Sequence, residues 1–520
     1  MLQFFPACQA GAKKMVIFRG RTLFLRKFSS LSSHPLRVCI VGSGPAGYYT
    51  AERLLKAHQK AEVDIIDRLP TPFGLVRSGV APDHQETKVV INQFSRVGLN
   101  ERCSFFGNVN VGSSVSLSEL REMYNVVVLA YGAESDRDLG VPGEGLAGIH
   151  SAREFVWWYN GHPDFSQLRP NLKSAETAVV LGQGNVALDV ARILLRPTAE
   201  LARTDIANHA LASLQESSIR KVYLVGRRGP AQAACTAKEL RELLGIKDLY
   251  VNIQEGDLIK SPADEEELKN SRIQRRVHEL LSKAAISQPH PVPGQRELHF
   301  LFFRRPDEFL SSDAGNDQVA GVNFEKTVLK GLLHRNKGHN CTFHNSDLFD
   351  FISFVENGES GKQSAVGTGQ FEEVECGMVL KSIGYKSVPV DGLPFDQRKG
   401  IVPNFRGRVL SNASVLDKGL YVVGWLKRGP TGIIGTNLYC AIETVESIHE
   451  DLEQGVLTTS TTPKPGREGL LQLLDSKNVK FVPFSGWEKI DMKEKHEGSQ
   501  KGKPREKITT WNELLEVAHA

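Results

Sequence analysis

Glycines at positions 42, 44 and 47 stand between a short apolar run, Val38 to Val41, and a helical pattern through Ala51, Leu54 and Leu55. That spacing suits a phosphate. Gly42 makes the tight turn, Gly44 lets the backbone approach a pyrophosphate seated on the helix N-terminus, and Gly47 lets the helix pack close on the strand. A second apolar run, Val63 to Ile66, ends in Asp67, twenty residues past Gly47, where a carboxylate can accept hydrogen bonds from a ribose. An ordinary glycine-rich βα turn needs neither the acid nor its spacing, so the stretch reads as a dinucleotide site.

A second unit of the same kind begins at Thr177. Its strand is Ala178 to Leu181, its turn is Gly182-x-Gly184-x-x-Ala187, and Val186, Val190, Ala191 and Leu194 form one apolar helix face that Pro197 ends. The next strand, Val222 to Val225, runs into Gly226-Arg227-Arg228-Gly229-Pro230. An acid at this strand end would hold a ribose 2′-hydroxyl and repel a 2′-phosphate. Two arginines offer fixed charge and planar donor forks that suit the phosphate. The second site is therefore read as NADP(H), and the first, with Asp67, as a dinucleotide lacking that phosphate.

Three further features could do chemistry. The Pro- and Gly-rich stretch from Pro70 to His84 reads as a structured loop at the carboxyl end of the second strand, the edge where ligands lie. His84 at its end is a candidate proton relay, although a loop histidine can equally be a surface or capping group. Later, Leu420 to Val423 reads as a strand that enters a Gly-rich turn, Gly424 to Thr436, followed by a helical pattern through Ile448, which would bring backbone N–H groups to another part of the same ligand. Arg272, Arg275 and Arg276 lie at i, i+3 and i+4 on one helix face, with Ile273, Val277, Leu280 and Leu281 able to supply the buried one. A basic face of this kind is either solvated surface or a dock for an acidic partner.

The elements that must position these groups read as α/β. Gly107 to Val111 reads as a short strand, Val126 to Leu129 as a buried one, and Val141 to Gly145 as a hinge; Met378 to Ile383 reads as the return toward the first domain. Ser311 to Gln318 and Asn357 to Gln370 read as surface loops, and Phe481, Phe484 and Trp487 are the apolar points of a polar tail. The first 35 residues hold six basic residues and no acid, with serines and scattered apolar groups, the composition of a mitochondrial transit peptide whose cleavage is expected between Leu31 and Leu36. Setting them aside leaves 58 basic and 60 acidic residues, which gives no reason to expect a nucleic-acid partner. No apolar run reaches the roughly 18 residues of a membrane span, so any attachment to the inner mitochondrial membrane would be peripheral. The seven cysteines are far apart, with no CxxC, which argues against a redox disulfide, an iron–sulfur cluster or a metal site in this chain.

With these motifs located, the chain resembles the adrenodoxin reductase family, NADPH:ferredoxin oxidoreductases of glutathione-reductase-like fold. The resemblance runs from about Arg37 to near the C-terminus and rests on PFGLVRSGVAPDH (72–84), GQGNVALDVARILL (182–195), VGRRGP (225–230), IGYKS (383–387) and GWLKRGPTGIIGT (424–436). It implies two Rossmann-like domains, an NADP domain (138–384) inserted into a discontinuous FAD domain (36–137 and 385–520). It implies FAD contacts at Gly42, Gly44, Ala46, Gly47, Asp67, Leu75, Val111, Trp425, Gly432, Ile433 and Ile434. It implies NADP contacts at Gln183, Gly184, Asn185, Val186, Arg227, Arg228, Glu239 and Gly432. The arginine face at 272–276 falls where the family receives an acidic [2Fe–2S] ferredoxin. The implied activity is electron transfer from NADPH through FAD to that ferredoxin in the mitochondrial matrix, serving cytochrome P450 or iron–sulfur assembly. A flavin monooxygenase and a non-enzymatic NADPH-binding sensor are the alternatives on the same fold.

Overall fold

The apolar runs of the N-terminal quarter become neighbouring parallel strands. In the computed structural model, which describes residues 34–286, 290–312, 316–330, 363–411, 415–457 and 463–520, β1 (Arg37–Val41), β2 (Glu62–Ile66), β3 (Cys103–Phe106) and β4 (Val126–Leu129) lie in the order β4-β1-β2-β3. Val38 faces Val63 on one side and Val126 on the other. Both faces of this sheet are covered, which is why its strands are continuous apolar runs rather than alternating ones. The chain then passes through β5 (Ser135–Asp136) into a second sheet built from β6 (Ile149–Ser151), β7 (Thr177–Leu181), β8 (Lys221–Val225), β9 (Leu249–Ile253) and β10 (Arg296–Leu301). An antiparallel layer comes next, β11 (Arg304–Ser312), β12 (Asn316–Lys330) and β13 (Ser364–Glu375), before β14 (Met378–Lys381) completes the second sheet in the order β6-β14-β7-β8-β10-β9. Every neighbouring pair in that sheet is parallel.

The way back runs beside the way out. β15 (Tyr385–Lys386) pairs antiparallel with β5, Tyr385 facing Asp136. The chain then adds β16 (Asn404–Phe405), β17 (Arg408–Leu410) and β18 (Leu416–Val422) to the first sheet, with β18 parallel to β4. The fold is α/β, two Rossmann-like units with the second inserted in the first. The aromatic run Phe155 to Tyr159 is helical and buried in the core of the second unit.

Several local expectations are corrected. The strand expected at Gly107 to Val111 is β3, one step earlier; beyond it Val111 makes only an isolated bridge to Val115. The run Met378 to Ile383 does not return to the first sheet, because β14 pairs with β6 and β7 and only β15 leaves. The described residues of both segments expected as loops are largely strand instead, since β11 extends to Ser312, β12 starts at Asn316, and β13 takes up 364–375, on a sheet with one face in solvent; residues 313–315 and 357–362 lie outside the described residues. The basic leader, residues 1–33 of it, lies outside the described residues.

The tail does more than cover surface. Phe484 and Trp487 are buried against the first sheet's core, and Trp487 stands edge-on to Phe73 at 5.6 Å. The helix Phe484–Gln500 inserts Glu494, which is fully buried, between Arg77 and Arg505. Beyond it, Lys507 is 3.4 Å from Asp205, which also pairs with the buried Lys88 at 2.6 Å. The C-terminal segment is thus bonded to both units, through Arg77 on the first and Asp205 on the second, and Asp205 in turn holds Lys88 of the first.

Burial alone would raise the Glu494 carboxyl pKa; the charges of Arg77 and Arg505 outweigh it and hold the group below the ordinary carboxylate range. Its contribution to stability is therefore complete above the unfolded glutamate pKa of about 4.3 and is lost as pH falls through the lower folded value. Replacing it leaves two buried guanidiniums short of a partner. E494Q is expected to lower unfolding free energy by about 3–5 kcal/mol at pH 7, and to lose less further stability than the wild type between about pH 5 and pH 3. Urea denaturation at the three pH values measures both.

Candidate dinucleotide sites

Around the first turn, atoms crowd where the strand and helix meet and leave space where a ligand would lie. A Cβ built on Gly47 would stand 2.0 Å from the Gly42 carbonyl oxygen, and one built on Gly44 would meet nothing within 4 Å. The open position faces out from the N-terminus of the helix Pro45–Ala57, whose first N–H groups receive no side-chain cap. Two other glycine turns close on it. Gly74 packs with its would-be Cβ 3.0 Å from the Gly44 Cα, and Gly424, at φ +68°, approaches the Ala46 Cβ so closely that its own Cβ would lie at 2.6 Å. The stretches 72–84 and 424–436 therefore meet at the 42–47 turn. Asp67 holds that turn as well as closing the strand: one carboxylate oxygen accepts from the Ser43 N–H at 2.8 Å and the Ser43 hydroxyl at 2.5 Å, the other from the Leu69 N–H at 2.9 Å.

The remaining residues assigned to this site are spread around it. Leu75 opens the short helix Leu75–Ser78 and packs against the second unit's core. Val111 lies half-buried beside the first sheet. Trp425 opens the helix Trp425–Arg428 with its ring 5.5 Å from that of Tyr385. Gly432, at φ +83°, and Ile433 are exposed, and Ile434 is half-buried. Arg428 braces this turn by donating to the Thr431 carbonyl and, at 3.0 Å, to the buried Asn437 side chain.

The second turn repeats the pattern. Gly184 is open, with nothing within 4 Å of a built Cβ. Beside it the Gln183 side-chain nitrogen is buried without a hydrogen-bond partner among the described residues, a donor left for something else to satisfy. Asn185 is spent on the fold, its side-chain oxygen accepting from the Thr236 N–H at 2.8 Å, and Val186 is half-buried in the second unit's core. At the end of β8, Arg227 is exposed and Arg228 half-buried; burial, with Arg227 beside it, pushes the Arg228 pKa down. Among the described residues neither guanidinium has an ion-pair partner within 4 Å, and the repulsion of Arg227 outweighs the attraction of Glu267 at Arg228, so two like charges stand together only partly compensated. That is the charge a 2′-phosphate would neutralise, whereas the first site ends in a carboxylate. Both donor sets fit the nucleotides assigned to them from the sequence.

Between the sites runs a seam of buried charge that local patterns did not disclose. Arg192, fully buried in the helix Asn185–Leu195, donates to Asp83 at 2.6 and 3.0 Å and to Asp189 at 2.7 Å, and Arg196 reaches Asp83 at 2.7 Å. His84 Nε2 lies 2.5 Å from Glu242 and 3.4 Å from Glu239. The sequence placed His84 and Glu239 apart, in different roles; the fold joins them and adds Glu242, with donor atoms all within 4.8 Å of one another. Burial pushes the Asp189 carboxyl up to about 6, against the pull of Arg192. Asp83 is held below its ordinary range because the Arg192 hydrogen bond and charge outweigh burial. Sequence reasoning misses Asp83, Asp189, Arg192 and Glu242 because single charged residues in a loop or on a helix carry no periodic signal. Arg272, Arg275 and Arg276 are exposed on the helix Arg272–Ala285, with Arg276 paired to Glu279. Val277 and Leu281 are buried as expected, but Ile273 is 64% exposed and adds an apolar point to the basic face.

Comparison with known proteins gives concordant findings. Residues 36–244 match the family described as pyridine nucleotide-disulphide oxidoreductase. The chain is similar to the NADPH:adrenodoxin oxidoreductase, mitochondrial, of Arabidopsis thaliana, 63% identical over 96% of this chain and 99% of that one. It is 44% identical to the human protein of the same name, over 95% of this chain and 94% of the relative. Among solved structures it is similar to Mycobacterium tuberculosis FprA in complex with NADPH, with a TM-score of 0.82 and 38% identity, covering 94% of this chain and all of that one.

The two glycines of the first turn separate ligand space from packing. G44A is expected to fold with near-normal stability but to be purified with little flavin, because the methyl enters the open position. G47A is expected to lose both flavin and stability, because helix and strand must part. Flavin absorbance per chain and thermal denaturation distinguish the two.

Proposed function

The chain belongs to the NADPH:adrenodoxin oxidoreductase family, and from that membership we propose that it carries electrons from NADPH through FAD, one at a time, to a [2Fe–2S] ferredoxin. The observation that carries this reading is the pair of dinucleotide cradles of opposite electrostatic character in one chain, Asp67 closing the first and Arg227 with Arg228 closing the second. The scattered cysteines favour it over a flavin disulfide reductase. A bound flavin supplies the conversion between a two-electron donor and one-electron transfers. The chain's own groups do the rest. The 42–47 turn, Asp67, Leu75, Val111, Trp425, Gly432, Ile433 and Ile434 hold FAD. Gln183 to Val186 and the helix N-terminus behind them hold the NADPH pyrophosphate, and Arg227 and Arg228 hold its 2′-phosphate, with Glu239 and Gly432 at its other end. His84 Nε2, bonded to Glu242 and near Glu239, holds a proton at the seam where the two units meet.

The FAD domain comprises 36–137 and 385–520, with the NADP domain, 138–384, between its parts. The partner is an acidic ferredoxin received on the Arg272, Arg275 and Arg276 face and steered there by charge. The basic leader directs the chain to the mitochondrial matrix, consistent with relatives named mitochondrial. Among the described residues no helix is long and apolar enough to cross a membrane; any contact with the inner membrane would be peripheral.

An anaerobic spectrum tests the reading first. The purified protein is expected to show flavin absorbance that bleaches with NADPH, and to reduce cytochrome c only when a [2Fe–2S] ferredoxin is added. Rapid oxygen consumption without ferredoxin would favour a monooxygenase, and a colourless protein that binds NADPH would favour a sensor. R228A is expected to lower kcat/KM for NADPH by the loss of a charge-assisted contact, about 1.5–3 kcal/mol, with flavin content unchanged. Unaltered NADPH kinetics would remove Arg228 from the coenzyme site.

A further inference from the structure

The antiparallel layer β11–β13 has no role in either fingerprint, yet it grips the Arg227–Arg228 turn. Three consecutive carbonyls of that turn accept hydrogen bonds from it. The Arg304 N–H reaches the Gly226 carbonyl at 3.0 Å, the Thr327 hydroxyl reaches the Arg227 carbonyl at 2.8 Å, and the Phe303 N–H reaches the Arg228 carbonyl at 3.3 Å. The grip is itself tied, since the Thr327 N–H donates to the Phe303 carbonyl at 2.9 Å. Thr327 lies where the pairing of β12 with β13 shifts register between Glu325 and Thr327, and its side chain is buried. Phe303 takes a left-handed backbone, φ +55°, and its ring lies against Gly229, where a Cβ would stand 2.5 Å from the ring. Two of the three donors are main-chain. Thr327 supplies the third from a side chain, 100 residues away in sequence.

The charge pattern explains why the turn needs holding. Two adjacent guanidiniums repel, Glu267 offsets that repulsion only in part, and a free loop would relieve it by splaying them. Fixing each carbonyl keeps the backbone, and hence the two side-chain roots, convergent before any anion arrives. An ordering cost that would otherwise fall on binding is removed in advance.

We propose that Thr327 is a positioning residue for coenzyme choice: its hydroxyl fixes the Arg227 carbonyl and so preorganises the arginine pair for the 2′-phosphate, favouring NADPH over NADH. The proposal rests on the reading of Arg227 and Arg228 as the NADPH phosphate site. Thr327 itself touches no substrate in this role, so its removal acts only on what the phosphate feels.

The test compares wild type, T327V, T327S and R228A as flavin-loaded proteins. In T327V the KM for NADPH and the Kd for adenosine 2′,5′-bisphosphate are expected to rise about three- to tenfold, the scale of one lost neutral hydrogen bond. The kcat at saturating NADPH and the KM for NADH should stay at wild-type values, and T327S should restore the NADPH values. An equal change for NADPH and NADH would reduce Thr327 to a general structural role, and no change in either would remove it altogether; both overturn the proposal. R228A separates the two levels. If R228A lowers the NADPH-to-NADH preference and T327V does not, Thr327 alone is rejected. If R228A leaves the preference intact, the phosphate site itself is misplaced and the proposal falls with it. Should T327V not hold flavin, T327A makes the same comparison with a smaller side chain.

Discussion

Arg192 lies fully buried where the two sheets' units meet, and it stays charged there because Asp83 reaches it from the first unit while Asp189 meets it from its own helix. An isolated buried guanidinium would cost several kcal/mol in lost hydration. The loop from Pro70 to Asp83 therefore cannot take another path without stranding that charge. Because the same loop brings Gly74 against Gly44 and His84 against Glu239 and Glu242, one ion cluster determines the shape of the first cradle and its distance from the second. Burial pushes Asp189 up to about 6 against the pull of Arg192, so its charge is only partly compensated.

The C-terminal segment applies the same constraint from outside. Glu494 sits between Arg77 and Arg505, and Lys507 donates to the Arg77 carbonyl and the Asn160 side chain while lying beside Asp205. Trp511 adds a bond to Asp164, which also holds Arg68. Burial pushes Lys507 well down, and the charge of Asp205 pulls the other way. Glu494, Lys507, Trp511 and Arg68 each bond to a residue of another segment. Sliding one unit against the other would break several at once, and the β5–β15 pair is a narrow strip on which to hinge.

Set within that rigid frame, the two nucleotide turns are built alike and differ at their far ends. Each leaves its middle glycine open, and at the third position Gly47 packs against the Gly42 carbonyl while Ala187 is fully buried. The difference lies at the carboxyl end of the next strand. Asp67 spends its oxygens on Ser43 and Leu69, so the acid shapes the turn as well as facing outward. Arg227 and Arg228 are held by their backbone carbonyls, and among the described residues their guanidiniums form no ion pair within 4 Å, only Glu267 acting on Arg228 from farther off.

What could be read along the chain was what neighbouring residues encode together. The apolar runs of β1, β2, β4, β7 and β8, the glycine spacing at 42–47 and 182–187, and the change from Asp67 to Arg227–Arg228 are each contiguous, and their chemistry is local. They were enough for the α/β class, the two nucleotide sites and the difference between them. Strands with polar residues on a solvated face, such as β13, look like loops in the sequence because alternation in a short segment resembles turn composition. The rest depended on contacts between segments far apart in the chain. Nothing near Asp83 announces Arg192, nothing near Lys88 announces Asp205, and nothing near Thr327 announces the Arg227 carbonyl. A charge or hydroxyl becomes costly, and so acquires a compulsory partner, only once the fold has taken it out of water. Which partner that is was decided by the tertiary structure alone.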